Sequence, residues 1–127
     1  MYIQRQAENE IRPDQVRAMA RGLYHFAAVD GIAEEEKELL REFLREGKVD
    51  VDLDSLAKLP FSLDELLYSL DTRFLRKTFL KVCILMAKAD GKVSPEEMAE
   101  LRRIAQAMGI DEPVDELEAE LEGKSIS

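Results

Sequence analysis

A single phrase occurs twice in this chain, and it limits the possible architectures more than any local preference does. Phe26-Ala27-Ala28-Val29-Asp30-Gly31-Ile32-Ala33-Glu34-Glu35-Glu36 returns sixty positions later within Leu85-Met86-Ala87-Lys88-Ala89-Asp90-Gly91-Lys92-Val93-Ser94-Pro95-Glu96-Glu97. Each copy lies between an apolar-patterned segment and a charged amphipathic one, so the chain reads as two related helix–loop–helix units. An open solenoid needs three or more units to stabilise itself, so a pair has to cover its apolar faces mutually. The expectation is all-α: a compact bundle of six or seven helices built from two pseudo-symmetric repeats, in one domain spanning 1–127.

Periodicity and capping chemistry divide the chain further. Repeat one covers about 13–47. Pro13 suits a first helical turn, and Val16, Met19, Ala20, Leu23, Phe26 and Ala27 follow the spacing of one helix face. A second helix over Glu34–Glu46 carries Leu39, Leu40, Phe43 and Leu44 inward and ends at Gly47. Residues 48–71 read as an insertion, with a short helix over 54–59 that stops at Pro60. A restart follows at Ser62, where Ser62 and Glu65 form a capping box and Phe61 can staple onto Leu66. Repeat two, about 72–109, opens at Asp71 or Thr72 with the longest helix, which is apolar on several sides and therefore central. Its partner helix spans 95–108 and stops at Gly109. An acidic C-terminal helix over about 113–122 completes the count, with Val114, Leu117 and Leu121 facing inward.

The second loop can be explained without any ligand. Gly91 supplies a left-handed residue, Ser94 caps the next helix, Pro95 takes its first position, and Glu97 reaches back to complete a capping box. The same residues overlap a calcium loop. With Asp90 and Gly91 at the fifth and sixth positions of an EF-hand, Val93 falls on the apolar eighth and Glu97 on the bidentate twelfth. Met86 and Lys88 then occupy the first and third ligand positions, and Lys37 takes the twelfth in the other copy, so a true EF-hand is not expected. A looser site remains. Aligning the copies with one deletion after Gly31 pairs Ile32 with Val93, Glu36 with Glu97, Leu40 with Leu101 and Phe43 with Ile104. If the two loops meet, Asp30, Glu36, Asp90 and Glu97 can hold a hard divalent cation such as calcium, magnesium or manganese. The copies also differ, because Ala33 stands where Ser94 caps; an alanine there costs about 1 kcal/mol. Glu34, Glu35 and Glu36 partly offset this through the helix dipole.

The doubled pattern, a helix ending in Ala-x-x-Asp-Gly followed by a small gap and an acidic helix start, resembles the TerB-like domains associated with bacterial tellurite resistance. It is also similar to the related N-terminal domain of the DjlA membrane-anchored co-chaperone. The resemblance runs over about residues 13–110. It implies a compact all-helical fold, acidic loops able to bind divalent metal, and an accessory role in stress response without catalysis. The shortened first loop and the missing hydroxyl at Ala33 depart from the fuller pattern. A DjlA-like co-chaperone role is not expected, since the sequence carries no transmembrane anchor and no J-domain signature.

Charge and composition narrow the partners. Net charge is −9, and residues 111–127 alone carry −6. An acidic balance of this kind repels phosphate backbones, so nucleic acid is not an expected partner. No segment is long and apolar enough for a bilayer, and no signal pattern opens the chain, so a cytoplasmic location is expected. No Gly-rich phosphate cradle, zinc spacing or nucleophile elbow occurs. His25 is the only histidine and Cys83 the only cysteine, the latter in an apolar run and read as buried, so neither a nucleophile–base pair nor a zinc site can be assembled. Enzymatic activity is not expected. Arg73, Lys77, Lys81 and Lys88 form a basic strip, read either as pairing with the chain's own acidic helices or as a dock for an acidic partner. The partner expected is an unidentified protein.

Overall fold

The computed structural model describes residues 11–90 and 93–121. Among them are seven α-helices, two 3₁₀ turns and no strand. The helices are α1 (Pro13–Ala27), α2 (Glu34–Glu46), α3 (Leu53–Lys58), α4 (Leu63–Ser69), α5 (Arg73–Ala87), α6 (Pro95–Met108) and α7 (Val114–Leu121). The 3₁₀ turns, Ala28–Asp30 and Lys88–Asp90, extend α1 and α5. The all-α expectation holds, with helix limits within a residue or two of those read from periodicity.

α1 and α5 form the interior pair. α1 packs on α2, α3, α4, α5 and α6, while α5 packs on α2, α6 and α7. The predicted stripe of α1 is fully buried from Val16 to Ala27, and from α5 it meets Phe79, Leu80, Cys83, Ile84 and Met86 in the same apolar cluster. Close approach is built in at Gly22, where a Cβ would lie 2.9 Å from the Phe79 ring. Gly47 works in the same way, not by conformational freedom as expected. Its φ is −79°, and the positive φ of 59° falls on Lys48 instead. A Cβ at Gly47 would sit 2.6 Å from Val16, so the end of α2 needs glycine in order to touch α1.

The insertion is tied down by a buried glutamine and a half-buried arginine. Gln15 caps α1 by accepting the Arg12 N–H at 3.0 Å, and its Nε2 donates to the Ser69 carbonyl at 3.2 Å. Arg76 of α5 donates to the carbonyls of Leu67, Leu70 and Met108 at 3.0, 2.6 and 3.1 Å. One guanidinium thereby satisfies otherwise orphaned carbonyls at the C-terminal ends of both α4 and α6. Ser62 Oγ accepts the Glu65 N–H at 3.2 Å as expected, but the Glu65 carboxylate turns to Arg21 at 3.6 Å. Phe61, expected to staple its own helix, stacks on His25 with ring centroids 4.1 Å apart.

The basic strip of α5 is covered by α7. Arg73 and Lys77 reach Glu112 at 2.7 and 3.1 Å, Lys77 and Lys81 reach Glu120 at 3.4 and 2.5 Å, and Lys88 pairs with Glu118. Those cations pair with the chain's own acidic residues, Glu112 before α7 and Glu118 and Glu120 on it, which favours the first of their two readings over the external dock. Leu117 is buried beneath them and Val114 packs against the core, whereas Leu121 has a side chain outside the described residues.

Candidate functional site

The described residues on either side of the two Asp-Gly steps form the same kinds of element. A 15-residue helix runs into a 3₁₀ turn that ends in aspartate, and an extended residue, Ala33 or Ser94, precedes a new acidic helix. In the first loop Gly31 takes φ 96°, where no Cβ is tolerated without strain, and Ala33 precedes α2. Glu36 Oε1 accepts the Ala33 N–H at 2.8 Å. In the second, Ser94 Oγ accepts the Glu97 N–H at 3.0 Å while Glu97 Oε1 accepts the Ser94 N–H at 3.1 Å. The capping box expected for Glu97 is therefore present, and Glu36 makes its glutamate half alone. Gly91, with the left-handed role expected of it, lies outside the described residues.

Packing crosses the halves. The first 3₁₀ turn lies against α6, and the second lies against α2. The turn carrying Asp30 thus neighbours the helix carrying Glu97, and the turn carrying Asp90 neighbours the helix carrying Glu36. The side chains of Asp30 and Asp90 are outside the described residues. Among the described residues no three histidine, cysteine, aspartate or glutamate side chains gather as a metal-binding group. Glu36 and Glu97 are 1% and 3% exposed, each fixed by its bond to a cap N–H. All four candidate ligands carry oxygen only, which is the donor type that calcium, magnesium and manganese take.

Beside the first turn stands a polar contact that the sequence does not announce. His25 Nε2 lies 2.7 Å from Glu100 Oε2, and Arg103 holds the same carboxylate at 2.5 Å. The Arg103 hydrogen bond, joined by His25, lowers Glu100 from the ordinary 4.5 to about 2 against an opposing burial effect. This contact bridges α1 to α6, with Phe61 of the insertion closing over the imidazole. A histidine seventy-five residues from its carboxylate gives no local spacing signal. Cys83 is buried, and desolvation pushes its thiol well above the ordinary range, with the charges of Glu100 and Glu97 adding to the rise. No helix among the described residues is long and apolar enough to cross a membrane.

Residues 63–116 match the family model of tellurite resistance protein TerB. The matched stretch begins with α4 and ends within α7, taking in the second loop but not the first. It is the family that the doubled motif resembles. No curated protein and no solved structure matches the chain.

Proposed function

We infer that this chain is a non-catalytic TerB-like accessory module, one domain over 1–127, that binds a protein partner in a cytoplasmic, tellurite-type stress response. The TerB match over residues 63–116 carries the reading. The chemistry of the nucleophile and base candidates supports it. The Cys83 thiol is buried and held protonated, and the His25 ring is engaged on one side by Glu100 and on its face by Phe61. The test is in-cell crosslinking of the tagged chain under tellurite stress, with partner recovery as the expected result. Reproducible turnover of a substrate, abolished by one substitution, would overturn it.

A second reading, a divalent-cation site formed by Asp30, Glu36, Asp90 and Glu97, is favoured by the crossed packing of each turn on the opposite acidic helix. A ligand that binds only the folded chain stabilises it by about 2.7 kcal/mol at a hundred times its Kd. Calcium, magnesium or manganese added to chelator-stripped protein should raise its Tm, and Asp30→Asn with Asp90→Asn should remove the rise. Absence of both heat and Tm shift at millimolar cation would discard this reading while leaving the module reading intact.

A further inference from the structure

Between α2 and α5 a cleft of about 180 Å³ opens at the surface, walled by Leu39, Phe43, Val82 and Leu85 and edged by Glu42 and Glu46. Leu39 and Leu85 are 36% and 49% exposed, and Phe74, on the same face of α5, is 47% exposed. Phe74, Val82 and Leu85 stand at i, i+8 and i+11, with Thr78 between the first two, so this face runs about 16 Å along α5 beyond the cleft itself. Neither Glu42 nor Glu46 forms an ion pair among the described residues.

The other half of the molecule indicates what such a face receives. The alignment that pairs Asp30 with Asp90 and Glu36 with Glu97 also pairs Gly22 with Val82, His25 with Leu85 and Glu100 with Leu39. On the first half those places are covered. Phe61 lies flat on His25, and Leu66 of α4 comes within 3.5 Å of the position a Cβ would take at Gly22. One short amphipathic helix with its leading aromatic thus joins Phe79 in covering Gly22 and lies over His25, while among the described residues the corresponding Leu85 is exposed and Val82 is half-buried. The charges differ in a way that specifies the occupant. Where α6 carries Arg103, which pairs with Glu100, the aligned position of α2 is Glu42, and Glu46 lies one turn on.

We propose that the α2–α5 cleft is the docking face for an amphipathic helix of a partner protein, inserting bulky apolar residues between Leu39 and Leu85 and placing lysine or arginine against Glu42 and Glu46. This rests on the module reading and gives its partner a chemistry. Apolar anchors supply affinity, and the carboxylate edge selects against acidic helices and sets the orientation.

The test uses the full chain and a labelled 14-residue helical peptide of leucine and lysine, with a leucine–glutamate twin as control. The expected result is binding of the lysine peptide that Leu85→Gln weakens about tenfold or more. Glu42→Gln with Glu46→Gln weakens it by a similar factor and flattens its salt dependence, and Asp54→Asn, outside the cleft lining, changes nothing. Leu85 and Glu42 are exposed, so the variants should keep wild-type circular dichroism. Equal binding by all variants, or by the glutamate twin, overturns the proposal. So does a dimer abolished by Leu85→Gln, which makes a second copy the occupant. A crosslinked partner retained by Leu85→Gln removes the cleft assignment and leaves the module reading standing.

Discussion

The junction at Asp30 and the junction at Asp90 share a frame and differ in almost everything that faces outward. Both place a buried glutamate at the third helical position, and in both its carboxylate holds the N–H of the residue before the helix. Only the second adds a hydroxyl from Ser94; the first manages with Ala33. Around the first, His25, Glu100 and Arg103 form a polar contact, with Phe61 stacked on the His25 ring. Around the second, Leu85 and Leu39 leave an apolar face open. The difference shows which part is structural: the glutamate and the turn set the chain direction, and the flanking positions are free to take up different chemistry.

The strongest way to break this equivalence is at the core positions that the alignment pairs. Phe26 and Met86 are both buried, and truncating either leaves a cavity in the one apolar cluster. Phe26→Ala should lower stability by about 3–5 kcal/mol and Met86→Ala by about 2–5 kcal/mol, read from urea unfolding midpoints. A loss under about 1 kcal/mol at one position alone would mean that the halves do not share a core. The next effect is at the glutamates. Glu36→Ala and Glu97→Ala each strip a cap N–H of its side-chain acceptor, which costs about 1–3 kcal/mol. Reciprocal cap changes sharpen the point: Ser94→Ala should cost about 1 kcal/mol, and Ala33→Ser should add up to a similar amount. If Ala33→Ser gives nothing while Ser94→Ala costs the full amount, the two loops start their helices differently.

Helices and caps were legible because their causes are local. Pro13, Ser94 with Glu97, and Gly109 with φ 76° each act within one turn, and the residues that they punctuate follow a regular period. What the sequence hid depends on approach between distant segments. Gly47 looks like a left-handed stop, yet its reason is Val16, thirty-one positions away and 2.6 Å from the Cβ it lacks. Arg76 carries no local signal in the sequence, and only the folded chain brings the carbonyls of Leu67, Leu70 and Met108 around it. Phe61 has a local partner in the sequence and a better one in the structure, since stacking on His25 covers a polar contact. For the candidate site, the pattern indicates which carboxylates share a role; the crossing of each turn onto the opposite helix is a property of packing alone.

The smallest effect separates the two junctions by pH. Glu100 is held near 2 in the folded state by the Arg103 hydrogen bond first and by His25 next, against an ordinary value of 4.5. A carboxylate with a lowered folded-state value contributes stability that is complete above its ordinary value and disappears as pH falls through the lowered one. Wild-type protein should therefore lose this contribution between about pH 4.5 and pH 2, and Glu100→Gln should lack that portion of the loss. Arg103 is more than half exposed, so solvent screening limits the difference to about 1 kcal/mol or less. Leu39, the aligned residue at the other junction, does not titrate, and Leu39→Gln should leave the acid limb of the curve unchanged in slope. Urea midpoints compared across that range test the claim. Parallel curves for wild type and Glu100→Gln would place the lowered carboxylate elsewhere and remove the electrostatic distinction between the junctions.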